Sequence, residues 1–113
     1  QALKLDPEAP LIQVQLATAL QQAGGARGVT ESVSLLRRSV VRDTNPSAHR
    51  MLAAAYYKQG KLPNADAETA QAYFLEGNVK QAQIFAKRAQ SKLNKGSPEW
   101  LRNDDIINYK PET

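Results

Sequence analysis

Thr69-Ala70-Gln71-Ala72-Tyr73-Phe74-Leu75-Glu76-Gly77-Asn78-Val79-Lys80-Gln81-Ala82 decides the fold. Gly77-Asn78 is a helix stop set between two helical patterns. Before it, a helix is predicted from Pro63 to Glu76, carrying Ala65, Ala70, Ala72, Tyr73 and Phe74. After it, a helix is predicted from Val79 to Leu93. Its Ala82, Phe85, Ala86, Ala89 and Leu93 recur at the i, i+3, i+4, i+7 spacing of one helical face.

The same grammar extends outward. Upstream, Asn45-Pro46-Ser47 breaks the chain, and a helix from Ser47 to Gln59 presents Met51, Leu52, Ala55 and Tyr56 before ending at Gly60. Earlier still, Pro10–Ala23 reads as a helix with Leu11, Val14, Leu16, Ala17 and Leu20. Gly24–Val29 reads as a polar, flexible loop. Thr30 then caps a helix from Glu31 to about Arg42, with Val33, Leu35, Leu36, Val40 and Val41. Downstream, Ser97-Pro98-Glu99 is a cap with proline in the first turn. It opens a helix to about Asn108 holding Trp100, Leu101, Ile106 and Ile107, with a frayed tail over 109–113. Strictly alternating strand patterns are missing, so the expected class is all-α.

Helices of about 11–15 residues are too short to stand alone in water. Their apolar stripes must be buried pairwise, and short loops between them force antiparallel neighbours within a single domain over 1–108. Alanine recurs where the stripes would meet (Ala17, Ala19, Ala53, Ala54, Ala55, Ala65, Ala82, Ala86, Ala89). So small a side chain lets helix axes approach to roughly 8 Å, the near end of the usual range.

Composition narrows the function. The 113 residues carry a net charge of +4, with 42% apolar and 23% charged residues, ordinary for a globular domain. No apolar run reaches the ~18 residues of a membrane span. Cysteine is absent and His49 is the only histidine, which rules out disulfides, thiolate metal sites and a His-Glu-x-x-His zinc site in these residues. No metal or other cofactor is therefore expected here. Cysteine content leaves the compartment open. Gln1 in place of a starting Met suggests a piece of a longer protein.

The punctuation also repeats. Leu16-Ala17-x-x-Leu20 with Gly24, Leu52-Ala53-x-x-Tyr56-Tyr57-Lys58-Gln59-Gly60, and Thr69-Ala70-x-x-Tyr73-Phe74-Leu75-Glu76-Gly77 followed by Asn78-Val79-Lys80-Gln81-Ala82 are versions of one signature. The chain resembles a tetratricopeptide repeat (TPR) array over nearly its whole length. Ala2-Leu3-Lys4-Leu5-Asp6-Pro7 is similar to the end of a preceding repeat. The spacing is irregular: Gly24 to Gly60 is 36 residues against the usual 34, and Gly60 to Gly77 is 17, half a repeat. The helix at 63–76 thus stands second in order but reads as a first helix. The resemblance implies antiparallel helix-turn-helix units stacked as a short, irregular TPR-like solenoid.

A narrower resemblance covers Ala70–Ala82, Ala86-Lys87-Arg88-Ala89-Gln90 and Lys95-Gly96-Ser97-Pro98-Glu99-Trp100-Leu101-Arg102-Asn103-Asp104-Asp105-Ile106. These are similar to the C-terminal TPR region of bacterial periplasmic zinc metalloproteases of the prenyl-protease-like gluzincin family. That resemblance implies a non-catalytic substrate-recognition or docking region, with zinc and catalysis in a parent protein and a periplasmic or envelope-associated location. The alternative is a TPR scaffold of an envelope assembly or secretion system unrelated to proteolysis, with a cytoplasmic location still open.

The resemblance also implies a peptide groove lined by first helices. By register its residues are Thr18, Gln21 and Gln22, then Arg50, Tyr57 and Lys58, then Gln71 and Phe74. The expected partner is a protein or peptide, or the parent's catalytic domain. His49 lacks a second His or Cys and reads as a helix-surface residue. Asp104-Asp105 diverge by about 100° on a helix and read as a solvated face. The acid-free stretch with Lys80, Lys87, Arg88, Lys92 and Lys95, and the cluster Arg37, Arg38 and Arg42, could attract nucleic acid or anionic lipid. A net charge of only +4 argues instead for a solvated face.

Overall fold

The computed structural model describes residues 10–42 and 46–110. Among the described residues six helices make up the fold: α1 (Pro10–Ala23), α2 (Gly25–Arg42), α3 (Pro46–Lys58), α4 (Leu62–Leu75), α5 (Val79–Gln90) and α6 (Pro98–Ile107). No strand occurs among the described residues. The Ala2–Pro7 segment, the Asn45 break, residues 111–113 and the side chains of Leu11, Val14, Val41 and Arg42 lie outside the description.

Local chemistry sets most boundaries where the pattern predicts them. Gly60 and Gly77 close α3 and α4 with the same pair of hydrogen bonds. Lys61 N–H donates to Tyr56 O at 2.9 Å and Gly60 N–H to Tyr57 O at 3.0 Å, and Asn78 N–H donates to Tyr73 O at 2.9 Å and Gly77 N–H to Phe74 O at 3.1 Å. Both satisfy carbonyls that a helix end leaves open. Asn78 Oδ1 accepts from Gln81 N–H at the start of α5. Ser97 Oγ accepts from Trp100 N–H at 3.2 Å, with Pro98 in the first turn of α6.

The Gly24–Val29 segment corrects the sequence reading. From Gly25 on it is the start of α2 rather than a loop, and Thr30 sits inside the helix, donating to Ala26 O at 3.1 Å. Gly25, at φ +56°, makes the reversal in a conformation L side chains rarely adopt. Gly28 then packs directly onto α1, where an added Cβ would lie 2.1 Å from Leu20 O. Glycine here serves close helix approach, not flexibility.

Each helix packs on its neighbour in sequence, and two further pairs meet, α1 with α3 and α4 with α6. Two apolar clusters result. The first holds Ala17, Leu36, Ala48, Leu52, Tyr56 and Ala65. The second holds Ala70, Ala82, Ala86 and Ile106, flanked by Tyr73, Phe74, Phe85 and Ile107. Ala65 and Ala70 both belong to α4, so one helix enters both clusters. Alanine occupies most of the buried apolar positions among the described residues, and aromatics fill the gaps beside it. The molecule extends 51 × 33 × 21 Å.

Candidate peptide-binding face

One face is built by α3, α4 and α5. Arg50 and Tyr57 stand seven residues apart on α3, and Asp66 and Tyr73 seven apart on α4. Two helical turns bring such pairs to nearly the same angle. Phe85 and Arg88 on α5 are three apart and also neighbours on one face. Tyr73 and Phe85 stack with centroids 5.6 Å apart and planes at 27°. The Arg50 guanidinium lies 4.8 Å from the Tyr73 centroid, and that of Arg88 lies 4.8 Å from the Phe85 centroid. The result is a cation–ring–ring–cation ladder across three helices.

Carboxylates pin both ends. Glu76 accepts from Arg50 Nε at 3.2 Å and from Nη2. Asp66 accepts from Arg88 Nε at 3.1 Å and from Nη2 at 2.9 Å. Each fork holds its guanidinium over a ring. The hydrogen bond to Glu76 raises the pKa of Arg50, against desolvation, and the hydrogen bond to Asp66 does the same for Arg88. Both arginines therefore stay charged at any relevant pH. Tyr57 lies near Arg88 and is 58% exposed. Below this ladder a cavity of about 310 Å³ is lined by Leu62, Pro63, Asp66, Arg88, Ser91 and Lys92.

The residues expected in a groove fall into three places. Thr18 and Gln21 face α3: Gln21 Nε2 donates to Met51 O at 3.3 Å, and Thr18 Oγ1 lies 4.0 Å from Met51 Sδ. Gln22 is exposed on α1, and Arg50, Tyr57 and Lys58 are exposed on α3. Gln71 and Phe74 look toward α6, lining a cavity of about 250 Å³ with Arg102, Asp105, Ile106 and Tyr109. Phe74 meets Tyr109 edge-on at 5.0 Å. Gln83 Nε2 lies within 3.0–3.3 Å of the carbonyls of Ile106, Ile107 and Tyr109, tying down the end of α6. Of the eight residues, only Arg50 belongs to the ladder, with Tyr57 beside it. The ladder's Tyr73 and Phe85 read from sequence as members of their helices' apolar patterns. The signal that marks them is the seven-residue spacing Asp66–Tyr73 beside Phe85–Arg88.

His49 also departs from its sequence reading. Its side chain is 12% exposed and its Nδ1 hydrogen-bonds Glu68 Oε1 at 2.8 Å, with Glu68 6% exposed. A carboxylate on the facing helix turns a first-turn residue inward. Beside this pair a crevice of about 190 Å³ is lined by Arg37, Val40, Leu52, Tyr56, Glu68, Pro98, Glu99 and Arg102. Burial raises the Tyr56 pKa, partly countered by Arg37. Among the described residues, no three His, Cys, Asp or Glu side chains gather as a metal would need, and no helix is long and apolar enough to cross a membrane.

No known protein family, curated protein or solved structure matches the chain.

Proposed function

We propose that this chain is a non-catalytic, TPR-like helical scaffold that binds protein or peptide segments on its α3–α5 face. The observation that carries this reading is the ladder Arg50–Tyr73–Phe85–Arg88, pinned by Glu76 and Asp66 beside exposed Tyr57. Arginine, tyrosine and phenylalanine are the side chains over-represented at protein interfaces. Here they are fixed before any partner arrives, so binding costs little side-chain ordering.

The irregular-solenoid reading is supported by the packing order. In a regular two-helix stack the contact that skips one helix recurs on the odd helices. Here it joins α1 to α3 and then α4 to α6. The half-step falls at α4, where Gly60 and Gly77 are half a repeat apart. On the resemblance of residues 70–106, the scaffold is the recognition or docking region of a zinc-dependent protease. Its catalytic residues lie outside this chain, and its place of work is the periplasm or envelope.

An array of 15-residue peptides, followed by anisotropy titration of those retained, tests the binding role. Tyr57→Ala is expected to weaken a retained peptide at least tenfold while the melting midpoint stays within about 2 °C, as an exposed site away from packing allows. A midpoint lower by several degrees with binding intact would make Tyr57 a packing residue and remove the face from consideration.

A further inference from the structure

We propose that the cavity beneath the ladder is a side-chain anchor site for an acidic peptide segment, whose bulky apolar residue enters the cavity while flanking carboxylates meet Arg88 and Lys92. This rests on the peptide-binding reading and names the chemistry of its partner.

The cavity itself supports an apolar anchor. Its floor and wall include Pro63 and Leu62, which is 51% exposed. At about 310 Å³ it has room for a leucine or phenylalanine side chain. Exposed apolar surface inside a concavity is where removal from water favours binding most.

Charge selects the flanks. The cavity is drawn from two stretches, the end of α3 into α4 (58–66) and α5 with its following turns (79–96). Together they hold Lys58, Lys61, Lys80, Lys87, Arg88, Lys92 and Lys95 against one carboxylate, Asp66. They therefore carry +6, seven cations less one anion, while the remaining eight cations and ten anions of the chain sum to −2. The net positive charge of the chain thus lies in the two stretches that supply the cavity lining. Asp66 cancels the charge of Arg88, with both its oxygens accepting from it, so Lys92 supplies the uncompensated charge in the cavity lining. Arg88 spends one Nε–H and one Nη2–H on that fork, leaving three of its five donors for an incoming carboxylate. Lys92 lines the cavity and is exposed. A nucleic acid would satisfy the cations but leave Leu62 and Pro63 without apolar contact, so the cavity favours a peptide. Recognition is of an internal segment, since the anchor is a side chain rather than a chain end.

The test uses a fluorescein-labelled dodecapeptide, acetylated and amidated, with a central Leu-Phe pair between runs of Glu, titrated against the whole chain at low salt. Saturable binding is expected. It should fall at least tenfold with Ala-Ala in place of Leu-Phe, with Lys92→Glu, or with Leu62→Asp, and stay within twofold for Lys110→Glu. Lys92 is exposed, and an aspartate at 62 suits the positive N-terminal end of α4, so these variants keep the fold. Binding unchanged by Lys92→Glu and Leu62→Asp overturns the anchor site. So does displacement by an oligothymidylate whose affinity ignores Leu62→Asp. If those substitutions are silent while Tyr57→Ala still weakens array peptides, the anchor site falls and the peptide-binding reading stands. If neither this probe nor any array peptide binds, both fall.

Discussion

Gly28 shows how much a single hydrogen atom can decide. A methyl group there would stand 2.1 Å from Leu20 O, a backbone atom that cannot rotate away. Alanine is worth about 1 kcal/mol more than glycine in a helix interior, which by itself favours Gly28→Ala. The clash opposes it, since overpacking of this kind costs about 1–3 kcal/mol. We expect the clash to win, lowering the urea midpoint without changing the slope of the transition; a raised midpoint would mean that α1 and α2 can part without penalty. Tyr56 gives a second prediction through pH. Burial favours its neutral phenol and raises its folded pKa, while the unfolded value is near 10. As pH rises through about 10 the unfolded chain loses this proton first, so stability falls across the interval up to the raised folded value. Tyr56→Phe should flatten that alkaline decline relative to wild type, whatever it does at neutral pH. Equal slopes in the two proteins would place the phenol in water.

At the scale of elements, the boundaries follow rules confined to a few consecutive residues, and those were legible. Ser97-Pro98 and the glycines at 60 and 77 carry their own turn chemistry, so α3 to α6 begin or end within three residues of the expected positions. The start of α2 was not legible, because Gly24-Gly25-Ala26-Arg27-Gly28 has the composition of a loop. Only the Leu20 backbone, brought close by tertiary packing, gives Gly28 a helical purpose. The same holds for the site. Tyr57 and Arg50 could be placed on one helix face, but pairs such as His49–Glu68 and Arg88–Asp66 span 19 and 22 residues. No periodicity within a helix encodes which partner faces it. The alanine stripes were largely the exception: Ala17, Ala53, Ala55, Ala65, Ala82, Ala86 and Ala89 are buried as their positions predict, while Ala19 and Ala54 face outward on their helices. Ala82, fully buried in the second cluster, makes the claim measurable. Ala82→Leu adds three carbons where two helices nearly touch and should cost about 1–3 kcal/mol. An unchanged melting midpoint would separate α5 from that contact.

For the molecule as a whole, the question is whether two apolar clusters make one cooperative unit. Arrays in which units touch only their neighbours gain stability from each interface, and they melt in parts when one interface is weak. The joint here is α4. It gives Ala65 to the first cluster and Ala70 to the second, and these residues are little more than one turn apart. The His49–Glu68 pair and the Arg50–Glu76 fork tie α4 back to α3, and Asp66 ties it forward to α5. A helix of 14 residues cannot stay folded on one side and melt on the other, given the cost of nucleating and ending a helix in water. Damage to either cluster should therefore be felt by both. Leu52→Ala, which removes a fully buried leucine from the first cluster, should cost about 2–5 kcal/mol. Followed by circular dichroism and by fluorescence of Trp100 on α6, this variant and Ala82→Leu should each shift both signals together to one lower midpoint. If Leu52→Ala lowers the helical signal in two steps while the Trp100 signal keeps the wild-type midpoint, the clusters are separate units. The binding face, which spans α3 to α5, would then straddle a hinge instead of resting on a rigid support.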